Sequence, residues 1–149
     1  MSDSAFGFKE PGHSPGFMLW QSTITWQRLI KAALDEHNIS HAQFVIMACL
    51  LWFDETQQTP IQSAIVNMTK LDKMTVSQAL KKLVHEALVA RKENAIDTRA
   101  KSVTLTKAGK SLIKKLVPIV EAVDNAYFAP LNQKEISTLN GLLKRLTQE

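Results

Sequence analysis

A single cysteine, Cys49, leaves an intrachain disulfide framework nothing to pair with. One thiol fits a reducing cytoplasm, and a cytoplasmic location is expected. Its sequence neighbours Met47, Ala48, Leu50 and Leu51 supply no base or cation to lower its pKa, which reads as a buried, inert thiol. No apolar run approaches the roughly 18 residues that cross a bilayer, so no membrane partner is expected. Residues 1–13 carry Asp3 and Glu10 and no apolar core, and read as a flexible arm rather than a signal peptide. Glycine is scarce, at five residues, and there is no glycine-rich phosphate loop. A zinc-protease helix and a nucleophile elbow are missing too. His37 and His41 are separated by the helix-breaking "NIS" and have no second pair of ligands. No catalytic residue, metal site or cofactor is therefore assigned, and the chain is not expected to be an enzyme.

What is present is a segregated charge. The net charge is +4, but the stretch from Lys70 to Lys115 holds twelve basic and four acidic residues, a net +8. The remainder holds six basic and ten acidic residues, a net −4. Clustering of this kind points to a polyanionic partner. Hydrophobic residues make up 45% of the 149, enough for one domain with a sizeable core.

Helix signals recur along the chain. Ser14 and Pro15 form a capped start, followed by Phe17, Trp20, Ile24, Ile30 and Leu34 at helical spacing to about Glu36. Ser40 and Gln43 form a capping box for a second, mostly apolar helix. Pro60 is placed to open a short third helix through about Asn67. Asp72 caps a fourth, from about Lys73 to about Glu86, in which Val76, Leu80, Leu83, Val84 and Ala87 share one face. Thr75, Gln78, Lys82 and His85 lie opposite, flanked by Met74 and Lys81. Leu88–Lys92 and Arg99–Leu105 read as a hairpin, with Val103 and Leu105 alternating against Ser102 and Thr104. Thr106 caps a long fifth helix that Pro118 should kink, and Asn132 with Glu135 opens a sixth with a leucine stripe. The terminal helices present more apolar face than the middle of the chain can cover. Packing against a second copy resolves this, and an intramolecular helical cap is the other solution.

Helix, short helix, capped helix and basic hairpin, in that order, describe a winged helix-turn-helix, whose second motif helix enters the major groove. The outward face of the fourth helix offers Thr75 and Gln78 as hydrogen-bonding groups and Lys81 and Lys82 for phosphates. Gln suits adenine bidentately, discriminating by about 1–3 kcal/mol. A solvated surface helix with lysines for solubility would carry the same residues. The hairpin and the charge segregation favour DNA.

"LDKMTVSQALKKLVHEALVARKENAIDTRAKSVTLTKAGKSL", residues 71–112, resembles the core of the MarR family of transcriptional regulators. The likeness runs through the Thr-Val-Ser run of the recognition helix, the Leu-Val strand, the Asp-x-Arg wing tip and the Leu-Thr-x-x-Gly entry to the next helix. "SHAQFVIMACL" (40–50) resembles the family's second helix. The resemblance implies a mainly α fold with a small β-hairpin wing, spanning 14–149. Residues 14–37 and 106–149 would be dimerisation helices, and 40–105 a winged helix-turn-helix lobe. It implies a homodimeric repressor on a pseudo-palindromic operator of double-stranded DNA. Lys73, Thr75, Ser77, Gln78, Lys81 and Lys82 fall on the recognition helix, Arg99 on the wing arginine of the minor groove, Asp97 on the acid that orients it, and Lys101 beside them. It also implies release by a small aromatic or anionic effector in some members. Phe17, Trp20 and Trp52 are the candidate lining, and serve equally as core or dimer-interface aromatics. A dimeric ligand-binding or interaction module of the same fold, without DNA binding, is the alternative.

The sequence departs from the family at two places. Ala87 stands where glycine is usual, and a left-handed backbone there costs alanine about 1–2 kcal/mol. Glu93, Ala95 and Ile96 replace a more basic, Pro/Asp-rich tip, which leaves wing contacts to Arg99 and Lys101. Cys49 is not on the first helix, so the family's peroxide-sensing cysteine is not carried over.

Overall fold

Side-chain caps set most of the helix starts. In the computed structural model, which describes residues 3–93, 96 and 100–148, the Ser14 hydroxyl accepts from the Phe17 amide at 3.2 Å. This opens α1 (Pro15–Asp35). Ser40 and Gln43 cap each other at the start of α2 (His41–Glu55). Asp72 caps α4 (Lys73–His85). The Thr106 hydroxyl accepts from the Gly109 amide at 3.0 Å at the start of α5 (Lys107–Phe128). Asn132 and Glu135 form the capping box of α6 (Gln133–Thr147). Each satisfies amides that the first helical turn leaves unpaired.

The third helix departs from this pattern. Pro60 does not open it: α3 spans Gln62–Thr69, with Ile61 at its cap position and no side-chain cap. Pro60 is buried just upstream, where its carbonyl accepts from the Val103 amide at 3.0 Å. Lacking an N–H but keeping its carbonyl, proline can border a strand from one side. Ile61 adds a bridge to Ser102. That extra contact explains a second correction. Ser102, expected on the open face of the hairpin, is 6% exposed beside fully buried Val103.

The hairpin pairs β1 (Val89–Glu93) with β2 (Lys101–Leu105) antiparallel, from Val89 opposite Leu105 to Glu93 opposite Lys101. The described chain divides into two compact units: one holds residues up to Ile30 and from Glu121 onward, the other Lys31–Val120. In the second, α2 packs on α3, α4 and β2, and α4 on α3 and β1. Ile46, Met47, Ile65, Leu80, Leu83 and Val103 are completely buried there. Cys49 is buried as well, and burial pushes its thiol pKa up. In the first unit, the Trp26 indole N–H donates to Asp124 Oδ1 at 2.8 Å and the Tyr127 hydroxyl to the Ser22 carbonyl at 3.0 Å. These tie α1 to α5, which continues beyond Pro118 to Phe128. None of the residues of α6 is buried, and Leu142, Leu143 and Leu146 of its leucine stripe are exposed. No described helix is long and apolar enough to cross a membrane.

Ala87 adopts φ 59°, the left-handed conformation its position demands. The Leu88 amide donates to the Leu83 carbonyl at 2.9 Å and the Ala87 amide to Val84 at 3.0 Å, closing a complete Schellman turn. The turn keeps its geometry and the alanine bears the strain. Ala87→Gly is therefore expected to raise stability by about 1 kcal/mol. The check is a shift of the urea midpoint to higher concentration at unchanged m.

Candidate nucleic-acid interface

The presentation of α4 begins with its cap. The Asp72 carboxylate accepts from the Thr75 amide at 2.7 Å and from the Thr75 hydroxyl at 2.9 Å. The Thr75 amide, and then its hydroxyl, hold the Asp72 carboxyl below the usual carboxylate range. Thr75 is half-buried, and its hydroxyl proton is committed to this cap. Val76, Ala79, Leu80 and Leu83 form the buried face. Val84, expected on that face, is 38% exposed. Ala79 takes its place. Lys73, Ser77, Gln78, Lys81 and Lys82 are all exposed.

The far end of α4 is clasped to the start of α5. The Thr106 amide donates to the Leu88 carbonyl at 3.1 Å, and the Thr106 hydroxyl to the Ala87 carbonyl at 2.7 Å. Gly109 faces the same Leu88 carbonyl so closely that a Cβ there would lie 1.9 Å from its oxygen. The Leu-Thr-x-x-Gly run thus has a mechanical reading: Thr caps and clasps, and Gly makes room. The Lys110 ammonium pairs with Asp54 at 2.6 Å, joining α5 to the end of α2.

Two of the expected DNA-facing lysines, Lys73 of α4 and Lys101 of β2, line one cleft of about 360 Å³ with Gln62, Ser63 and Asn67 of α3. Asp97 and Arg99 lie outside the described residues. One residue of this surface escaped the sequence reading. Arg91 Nη1 donates to Gln62 Oε1 at 3.1 Å, tying β1 to the first turn of α3. The partners are 29 residues apart, and no local pattern signals such a pair.

The aromatic candidates fall in both units. Phe17 borders a cleft of about 550 Å³ with Phe6, Phe8 and Pro11 of the arm. Trp20 borders another, of about 360 Å³, with Ile24 and Tyr127. Trp52 stands in the Lys31–Val120 unit, 48% exposed, edge-on to Phe53 with ring centroids 5.2 Å apart.

Known proteins share this fold. The ArnR1-like winged-helix domain model matches residues 35–123. The HTH-type transcriptional regulator YdcH of Bacillus subtilis is 34% identical over 142 residues, spanning 95% of this chain and 96% of that protein. Among solved structures, BpsR of Bordetella bronchiseptica, whose DNA binding is regulated by 6-hydroxynicotinic acid, superposes with a TM-score of 0.84 at 24% identity. That match covers 96% of this chain and 99% of BpsR. A mutant MarR from E. coli complexed with operator DNA gives 0.76 at 22% identity, covering 88% and 91% of the two chains. At these identities the structural likenesses establish the fold, and the family rests on the domain match and on YdcH. The six α-helices and the antiparallel hairpin among the described residues agree with the match over residues 35–123 and with the fold of MarR: the chain belongs to the ArnR1-like winged-helix family and is an HTH-type transcriptional regulator.

Proposed function

We propose that the protein is a cytoplasmic homodimeric repressor that reads a pseudo-palindromic operator with α4 in the major groove and the hairpin reaching the flanking minor groove. The observation that carries this reading is the division of α4. Val76, Leu80 and Leu83 are fully buried, while Lys73, Ser77, Gln78, Lys81 and Lys82 all remain exposed. On that helix Gln78 reads adenine, the lysines hold phosphates, and the Asp72–Thr75 cap fixes the end nearest the bases. Arg99 enters the minor groove with Asp97 orienting it, and Lys101 adds a phosphate contact. A small aromatic or anionic effector releases the operator. BpsR, regulated by 6-hydroxynicotinic acid, supports that part by analogy, with Phe17, Trp20 and Trp52 as lining candidates.

The exposed Leu142, Leu143 and Leu146 of α6 and Phe17, Met18, Leu19 and Trp20 of α1 favour a second copy as partner. Selection from random duplexes is expected to enrich a site with two inverted halves about one helical turn apart. Light scattering should return a stable dimer at micromolar concentration. A 16.7 kDa particle, or enrichment of no site at all, would refute the reading.

A further inference from the structure

Met74 stands in the first turn of α4 with 70% of its surface exposed. At about 100° per residue, Met74, Gln78, Lys81 and His85 form one stripe directly opposite Val76, Leu80 and Leu83. With Ala79 buried and Val84 exposed, Met74, a flank of the outward face in the sequence, lies at its centre, and it is the one large apolar side chain among polar neighbours in that stripe. Left in water, a thioether of this size adds nothing to folding. It gains where a partner presents an apolar group within an otherwise polar surface. The edges of base pairs in the major groove carry one such group, the C5-methyl of thymine. The N-terminal residues of a recognition helix are those that reach base edges. The unbranched, polarisable methionine side chain adapts readily to such a contact. Gln78 follows at i+4, on the same face, with the amide geometry that suits adenine. Lys73, Lys81 and Lys82 surround the pair with the charge a polyanion requires.

We propose that Met74 is a specificity-determining residue that packs against a thymine methyl in each half-site, beside the adenine read by Gln78, so that the two side chains together select A·T pairs. The proposal rests on the reading of α4 as the major-groove helix.

The test uses the full-length protein on its selected operator. Binding is followed by fluorescence anisotropy at fixed salt, with each thymine of one half-site replaced singly by deoxyuridine. That change deletes only the methyl group. One replacement is expected to weaken wild-type binding about fourfold, the equivalent of one buried methyl group. In Met74→Ala the same replacement should leave affinity unchanged, whereas Met74→Leu should keep the sensitivity. The deoxyuridine series on the wild-type protein needs no variant to fold. Site-specific binding with no sensitive thymine, or a Met74→Ala protein as sensitive as wild type, overturns the Met74 proposal and leaves the α4 reading standing. A wild-type protein that selects no DNA sequence overturns both.

Discussion

Gly109→Ala is expected to lower folding stability by on the order of 3 kcal/mol, with operator binding lost over the same range of denaturant. The added Cβ would stand 1.9 Å from the Leu88 carbonyl oxygen and 2.8 Å from its carbon. Both are backbone atoms, so no side-chain rotation relieves the overlap. Separating the two segments would instead stretch the Thr106 amide and hydroxyl bonds to Leu88 and Ala87 that join α4 to α5. Urea melts give the check. Gly141→Ala, in α6 with nothing within 4 Å of the new Cβ, provides the contrast and should melt at or slightly above wild type, as helix propensity favours alanine. A Gly109→Ala protein that melts with wild type would show that the close approach does not hold α4 in place.

The second large effect is electrostatic. On the proposed homodimeric reading, Lys81→Ala combined with Lys82→Ala removes two exposed cations from each α4, hence four phosphate contacts from the bound dimer. Each contact neutralised on duplex DNA contributes about 0.9 to the slope of log K against log salt. The slope should therefore flatten by about 3 to 4, with affinity near physiological salt falling on the order of 10²-fold or more. The loss should be nearly the same on the selected operator and on a scrambled duplex, because phosphates carry no sequence information. A salt titration by anisotropy on both duplexes measures this. An unchanged slope would remove α4 from the DNA interface.

The parts legible in advance were those set within a few residues of chain. Ser14, Ser40, Asp72, Thr106 and Asn132 cap helices because a side-chain oxygen reaches an amide three residues on, a distance fixed by local geometry. The burial of Val76, Leu80 and Leu83 followed from helical periodicity, and the strain at Ala87 from the family resemblance, which puts glycine at that position. The departures at Pro60 and Ser102 came from contacts distant in sequence. Pro60 lost its place in α3 because its carbonyl pairs with Val103, and Ser102 was buried by the neighbouring Ile61 bridge. Arg91 found Gln62, and Lys73 came to share a cleft with Lys101, across gaps that no local pattern spans.

By itself, then, the sequence determined where the helices begin, which side of α4 faces inward, that one third of the chain is strongly cationic, and which regulator family the chain resembles. Hydrogen-bond reach and helical period are local, and composition needs no fold. Only the tertiary structure decided which outward residues stand together and how closely the backbones approach. It buried Ala79 and left Val84 open, which turned Met74 to the centre of the outward face of α4, and it pressed Gly109 against Leu88. Those outcomes depend on packing between segments far apart in the chain, where excluded volume and pairing partners, not neighbouring residues, set the geometry.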